Sequence, residues 1–299
     1  MAIVDIQWLR GKTVSVIGLV KNAGKTTTLN ALLDEIYADG SLACPALTSV
    51  GRDGESTDVV TGTYKPGIFL RRGTLAATAS ELLRLGDFTR EILADTGVHT
   101  PMGEVYIVRA LSGGAVQLGG PSMTGQLKEL KKDFFALGAD CVLIDGAAGR
   151  RSLGAASVAD GAILCSGAGL DRSMERVAEE TAFVAGLMQL ELYDGEPDAI
   201  ELPGAVTESV LRELLQRGRE LAGRTIVTDD ASKLLFSSAS YARLRRLGAR
   251  LTLRERTRLL AVAVNPVAVR GWRFDGGAFR RAVQDRVDVP VINVMEGIA

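Results

Sequence analysis

The chain has 299 residues, 46% of them hydrophobic and 24% charged, with a formal net charge of −1. That length can bury a substantial core, in one large α/β domain or two smaller ones, and the near-neutral balance gives no electrostatic case for general nucleic-acid binding. No apolar run reaches the ~18 residues of a membrane span. The opening "MAIVDIQWLRGK" lacks a signal peptide's basic start and long apolar stretch, so a cytoplasmic protein without membrane association is expected. Cys44, Cys141 and Cys165 lie far apart in apolar contexts and read as buried, reduced thiols. His99 is the single histidine, which leaves little from which to build a multi-histidine metal site or a Ser-His triad.

In chain order, "TVSVI" (13–17) reads as a buried strand. The segment 26–37 reads as a helix, with Leu29, Leu32, Leu33 and Ile36 at helical spacing. "LACPALTSV" (42–50) reads as a second strand, followed by the polar, Gly-rich passage "GRDGESTDVVTGTYKPG". Next come a short strand "IFL", a helix over about 75–85, a strand "EVYIVRA" (104–110) and a tight hairpin or loop "LSGGAVQLGG". A helix over 122–137 leads to strands "CVLID" (141–145) and "GAILCSG" (161–167), then a helix over 172–189. "DGEPDAIELPG" (194–204) is the best linker candidate; beyond it lie a helix 207–218, a strand "TIVT" (225–228) and a helix around 231–247. The last unit is strand "LLAVAV" (259–264), a helix near 278–286 and strand "VPVINV" (289–294). This alternation predicts an α/β fold: a doubly wound, mainly parallel sheet with helices on both faces. A single domain over 1–299 is expected, with a smaller α/β subregion inserted or appended at about 196–258.

The chemistry concentrates in "GLVKNAGKTTTLNAL" (18–32), a turn between a buried strand and a helix. A helix N-terminus there offers unpaired N–H groups and the positive end of its dipole. Asn22, Ala23, Gly24, Lys25, Thr26 and Thr27 would line a phosphate, with Gly24 letting several N–H groups converge on it. A solvent-facing Lys25 would reach the β/γ-phosphates, and the Thr26 hydroxyl would hold Mg²⁺. The fit to G-x-x-x-x-G-K-[ST] is imperfect, because Leu19 stands where the first Gly belongs and Gly18 comes one place early. In "DCVLIDGAAGRRS" (140–152), Asp145 is expected to end a buried strand at the C-terminal sheet edge where ligands sit, and would orient Mg²⁺ directly or through water. Gly146 and Gly149 permit a close turn there, while an Asp after a strand is otherwise a capping residue.

Further along, "TSVGRDGESTD" (48–58) carries Arg52, Asp53, Glu55 and Asp58. Asp53, between Gly51 and Gly54, is the choice for a catalytic, water-positioning carboxylate beside Lys25; a solvated acidic turn is the alternative. Asn265 in "AVNPVAVRG" presents a donor and an acceptor with which to read a nucleobase edge, or simply makes an Asn-Pro turn. ATP is favoured and GTP not excluded, because no Asn/Thr-Lys-x-Asp sequence is present. Asp229, Asp230 and Lys233 in "IVTDDASKLLF" read as helix-capping residues.

Through "KNAGKTT", "VLIDGAAG" and "GAILCSG", residues 13–170 resemble the nucleoside-triphosphatase class that includes dethiobiotin synthetase, the molybdopterin-guanine-dinucleotide accessory proteins and the division-site ATPases; "AVNP" is a weaker echo. That class often carries an extra loop lysine one position before Lys21, so Lys21 is off register and a dimer-forming role for it does not carry over. "GLVKNAGKTTTLN", "LTSVGRDGESTDVVTGTYKP" and "TPMGEVYIVRALSGGAVQLGGPS" look like the accessory protein of cobalamin-dependent lysine aminomutases. The resemblance implies reactivation of an aminomutase together with a mismatch-repair-like ATPase. The leading expectation is a Mg²⁺-dependent nucleotide-binding protein, a slow ATPase acting on a protein partner, with a homodimer left open. The alternatives are a ligase or kinase acting on a small carboxylate or hydroxyl, and a phosphate-binding module without chemistry.

Overall fold

The computed structural model describes residues 3–51, 67–148, 157–216, 218–269 and 271–296. The apolar run after Lys12 forms β1 (Thr13–Gly18), buried along its whole length. Helix α1 (Lys25–Asp39) buries Leu29, Leu32, Leu33 and Ile36 on one face and stops at Gly40, whose φ of 72° ends the helix with its N–H on Ile36 O. Then follow β2 (Pro45–Ser49), β3 (Ile68–Leu70), β4 (Leu75–Ala79), the single-turn α2 (Ser80–Leu83), β5 (Arg90–Thr100), β6 (Gly103–Ala110) and β7 (Gly114–Val116). The next stretch holds α3 (Thr124–Ala136), β8 (Cys141–Ala148), β9 (Gly161–Gly167) and α4 (Met174–Met188).

Between α4 and the next long strand the chain forms β10 (Ile200–Glu201), β11 (Val206–Thr207), α5 (Glu208–Gln216), β12 (Thr225–Thr228), β13 (Leu234–Leu235), α6 (Ser238–Arg246) and β14 (Arg250–Leu253). It ends with β15 (Arg258–Asn265), α7 (Gly276–Gln284) and β16 (Val291–Asn293).

The fold is α/β, with a large, mainly parallel central sheet flanked by helices. Among the described residues that sheet has nine strands in the order β16-β15-β9-β1-β8-β2-β4-β6-β5. Every pairing from β16 to β4 is parallel, and β6 then pairs antiparallel with both β4 and β5. Side chains alternate between two apolar layers, as strand geometry requires. From β1 and β8, Ile17, Val142 and Ile144 enter the layer under α3, α4 and α7, with Phe134, Val177 and Phe279. Val14, Val16 and Leu143 enter the opposite layer with the α1 leucines and Leu9. Truncating a core ring such as fully buried Phe134 to Ala costs about 3–5 kcal/mol.

Two expectations change. The segment 75–85 is a strand followed by one helical turn, not a helix: Leu75–Ala79 is wholly buried between β2 and β6, and a short run apolar on every side carries no period to separate strand from helix. The helix expected over 231–247 is interrupted: Ala231–Lys233 is a 3₁₀ turn capped by Asp230, β13 follows, and α6 begins after Ser237. β5 and β14 add strands where none was expected. The region 196–258 contains a three-stranded parallel sheet, β10-β12-β14. Its own apolar cluster includes Leu211, Ile226, Phe236 and Leu244, and Leu187 of α4 joins that cluster. Part of the expected linker thus pairs in this sheet as β10.

Candidate functional site

The turn between β1 and α1 lies at the C-terminal edge of the parallel strands, and β1 has β8 on one side and β9 on the other. From β1 the chain runs toward β2, and from β9 it leaves toward β15, in the opposite direction along the sheet. Such a switch of direction opens a crevice at the strand ends. The turn's shape comes from two left-handed residues, Asn22 at φ 62° and Gly24 at φ 94°. Gly24 is the N-cap of α1 and makes no side-chain capping bond. The first-turn N–H groups, which no helical carbonyl can accept, face the turn. Thr28 closes the first turn, donating its N–H (2.8 Å) and Oγ1 (2.9 Å) to Gly24 O.

Lys25 departs from expectation. It is 8% exposed rather than solvent-facing. Its stem folds back over Gly18: a Cβ at Gly18 would lie 3.1 Å from Lys25 Cγ and 3.2 Å from Cδ. A lysine in the first turn of α1 must cross the turn it borders to reach a phosphate, and glycine at 18 leaves room for its methylenes. Gly18 thus has a role, despite its displacement from the standard pattern. Thr26 and Thr27 follow in the same first turn, each half-buried, while Asn22 and Lys21 are exposed.

Asp145 sits beside this turn. In β8 it pairs in register with Val16 of β1 and Ser49 of β2, and its carbonyl accepts the Val50 N–H at 3.0 Å. The residue is half-buried and its Oδ1 is buried. The electrostatics of Cys165 tie the two charges together. Burial pushes this thiol up to about 12, Lys25 pulls it down and Asp145 pushes it up, so both charges are felt at one buried sulfur. Cys165 Sγ donates to Thr28 Oγ1 at 3.4 Å. Cys141 is likewise pushed up to about 12 by burial.

Asn265, the last residue of β15, has both ends of its carboxamide engaged inside the protein. Nδ2 donates to Asn22 O at 3.0 Å, and Oδ1 accepts the Val267 N–H at 3.0 Å. The second bond is the turn expected of Asn-Pro; the first reaches the β1–α1 turn. Gly167 at the end of β9 allows the loop close: a Cβ there would sit 3.2 Å from Ala23 Cα. Sequence reasoning named Gly18 only as a displaced motif glycine and missed Gly167, Gly120 and Val294. Gly120 lies where the exit of β2 is zipped to the 119–121 segment, and a Cβ on it would come within 2.3 Å of Ser49 O. The only signal for it was the Gly-Gly-Pro run.

Arg52, Asp53, Glu55, Asp58 and Gly149 lie outside the described residues. Among the described residues, no group of three or more His, Cys, Asp or Glu side chains is placed to hold a metal. The Thr26 hydroxyl and the Asp145 carboxylate are each hard oxygen donors of the kind Mg²⁺ takes alongside phosphate oxygens and water. His99 is exposed on β5, with Nδ1 3.8 Å from Glu104. Asp230 caps the turn after β12, accepting the Ser232 N–H at 2.7 Å. Among the described residues no helix is long and apolar enough to cross a membrane.

In comparisons with known proteins, no family model matches the chain and no curated protein matches it significantly.

Proposed function

We propose that this chain is a Mg²⁺-dependent nucleoside-triphosphate-binding protein, a slow ATPase that works on a protein partner in the cytoplasm. The observation that carries this reading is the β1–α1 turn. An uncapped helix N-terminus, shaped by left-handed Asn22 and Gly24, has the Lys25 stem folded across Gly18 toward it. Such a turn suits a phosphate group through its N–H groups, the helix dipole and an ammonium. Asn22–Thr27 would surround the phosphates. Thr26 and Asp145 would hold Mg²⁺, which when bound neutralises the charge developing on the transferred phosphoryl group. The Lys25 ammonium would do the same from the protein side, and Asp53 remains the candidate to orient the attacking water.

A protein partner is favoured over a small substrate by the exposed apolar side chains in 67–122. Phe69, Leu85, Ile92 and Leu111 are 54%, 63%, 62% and 45% exposed, and a docked protein would take their apolar surface out of water. The resemblance to the aminomutase accessory proteins supplies the partner class: a cobalamin-dependent aminomutase, with a mismatch-repair-like ATPase. The test is a titration of ATP, GTP, their diphosphates and tripolyphosphate, with and without Mg²⁺, followed by turnover alone and with an aminomutase. Mg²⁺-dependent triphosphate binding with slow turnover supports the reading. Absence of binding to every phosphate ligand overturns it.

A further inference from the structure

We infer that Asn265 is a positioning residue that clamps the phosphate loop, rather than a reader of the nucleobase. This rests on the phosphate-loop reading above and deepens it. Asn22 is the one described non-glycine residue with positive φ, a region asparagine enters more readily than other L-residues and keeps most firmly where neighbouring groups hold it. The holding bond comes from Asn265 Nδ2 to Asn22 O at 3.0 Å. Asn265 is in turn fixed on three sides. Its Oδ1 takes the Val267 N–H at 3.0 Å, its carbonyl takes the Ala168 N–H at 2.9 Å, and β15 pairs it with Gly167. The loop is also walled from that direction, because a Cβ on Gly24 would lie 3.3 Å from Asn265 Cβ and 3.0 Å from Val294 Cγ2. With one N–H and one lone pair committed to backbone groups, the plane of this carboxamide is set by the protein, and only one N–H and one lone pair are left for any other partner. The carboxamide is well placed to keep this left-handed turn in its proposed anion-binding shape before the ligand arrives.

Two variants test this. Asn265→Asp keeps the acceptor for Val267 N–H but loses the donor to Asn22, and Asn265→Ala loses both. Each is assayed by amide hydrogen exchange over residues 20–28 in ligand-free protein, and by affinity for Mg·ATP, Mg·GTP and Mg·tripolyphosphate. The expected result is faster exchange in the loop and a common loss of about 3- to 10-fold for all three ligands, the worth of one hydrogen bond. An Asn22→Gly background, in which positive φ costs little, should shrink the Asn265→Asp effect. Losses confined to one nucleotide, with tripolyphosphate untouched, would make Asn265 a base reader and overturn the clamp. Unchanged exchange in both variants would overturn it too. If the parent binds none of the three ligands, the phosphate reading falls, and the exchange data alone then decide the clamp.

Discussion

Replacing Lys25 by Met separates its packed stem from the phosphate contact proposed for its ammonium. The stem lies over Gly18 at 3.1–3.2 Å from the position a Cβ would take, and the residue is 8% exposed. Met keeps a linear side chain of similar reach and removes only the ammonium. The loss is then one charge-assisted contact to phosphate, about 1.5–3 kcal/mol, or roughly 10- to 150-fold in Kd. Lys25→Ala removes the charge and also about two packed methylenes, adding a stability loss of roughly 1.5–2 kcal/mol. Calorimetric titration with Mg·ATP should therefore give similar weak binding for both variants. Urea unfolding should set Ala below Met and leave Met close to the parent. Parent-like affinity in the Met variant would refute the phosphate role of Lys25. Equal stability of Ala and Met would refute the packed stem.

Asp145→Asn should leave nucleotide binding largely intact while Mg²⁺ dependence and hydrolysis fall at least tenfold, measured by titrating the metal at fixed ATP; unchanged metal dependence would return Asp145 to a structural role. Gly120→Ala forces a Cβ to within 2.3 Å of Ser49 O and 2.5 Å of Thr48 Oγ1. It should cost about 1–3 kcal/mol in urea unfolding, whereas Gly186→Ala, inside α4 with nothing within 4 Å, should gain roughly 0.5–1 kcal/mol. The thiols of Cys141 and Cys165, raised by burial to about 12, stay protonated in the folded protein above pH 9 while unfolded thiols ionise. The folded state then binds more protons, so their contribution to stability is complete below about pH 8.5 and is lost as pH rises toward 12. Cys165→Ala should flatten the fall in urea midpoint between pH 8 and pH 10.5, and an unaltered slope would argue against this shift.

The β1–loop–α1 unit was legible because each part carries its own local signal: a continuous apolar run, a Gly-Lys-Thr turn and leucines at helical spacing. Asp145 was legible as a carboxylate following four apolar residues, but not as a strand end: β8 runs on through Gly146 to Ala148, where small residues carry no signal for continuing or stopping a strand. "LAATA" misled because its residues are apolar or small on every side, so burial between β2 and β6 decided its conformation, not any period. β5 escaped because it is an edge strand, with Ile92 62% exposed and its shape held by antiparallel pairing to β6. The burial of Lys25 depends on how its stem crosses Gly18, and the engagement of Asn265 on a partner at the other end of the chain. Neither has a local signature.

The bond from Asn265 to Asn22 spans 243 positions, and this gives the site an order of birth. During synthesis β1, the loop and α1 leave the ribosome early, carrying the lysine and the threonines. The wall against which the loop is set, Asn265 with Val294, emerges only after the intervening strands and the smaller sheet. Until then the Asn22 carbonyl has no donor from β15, and the loop lacks the side from which it is held. On the proposed reading, the share of phosphate affinity that this clamp supplies is therefore a property of the finished chain, added only when the sheet is closed.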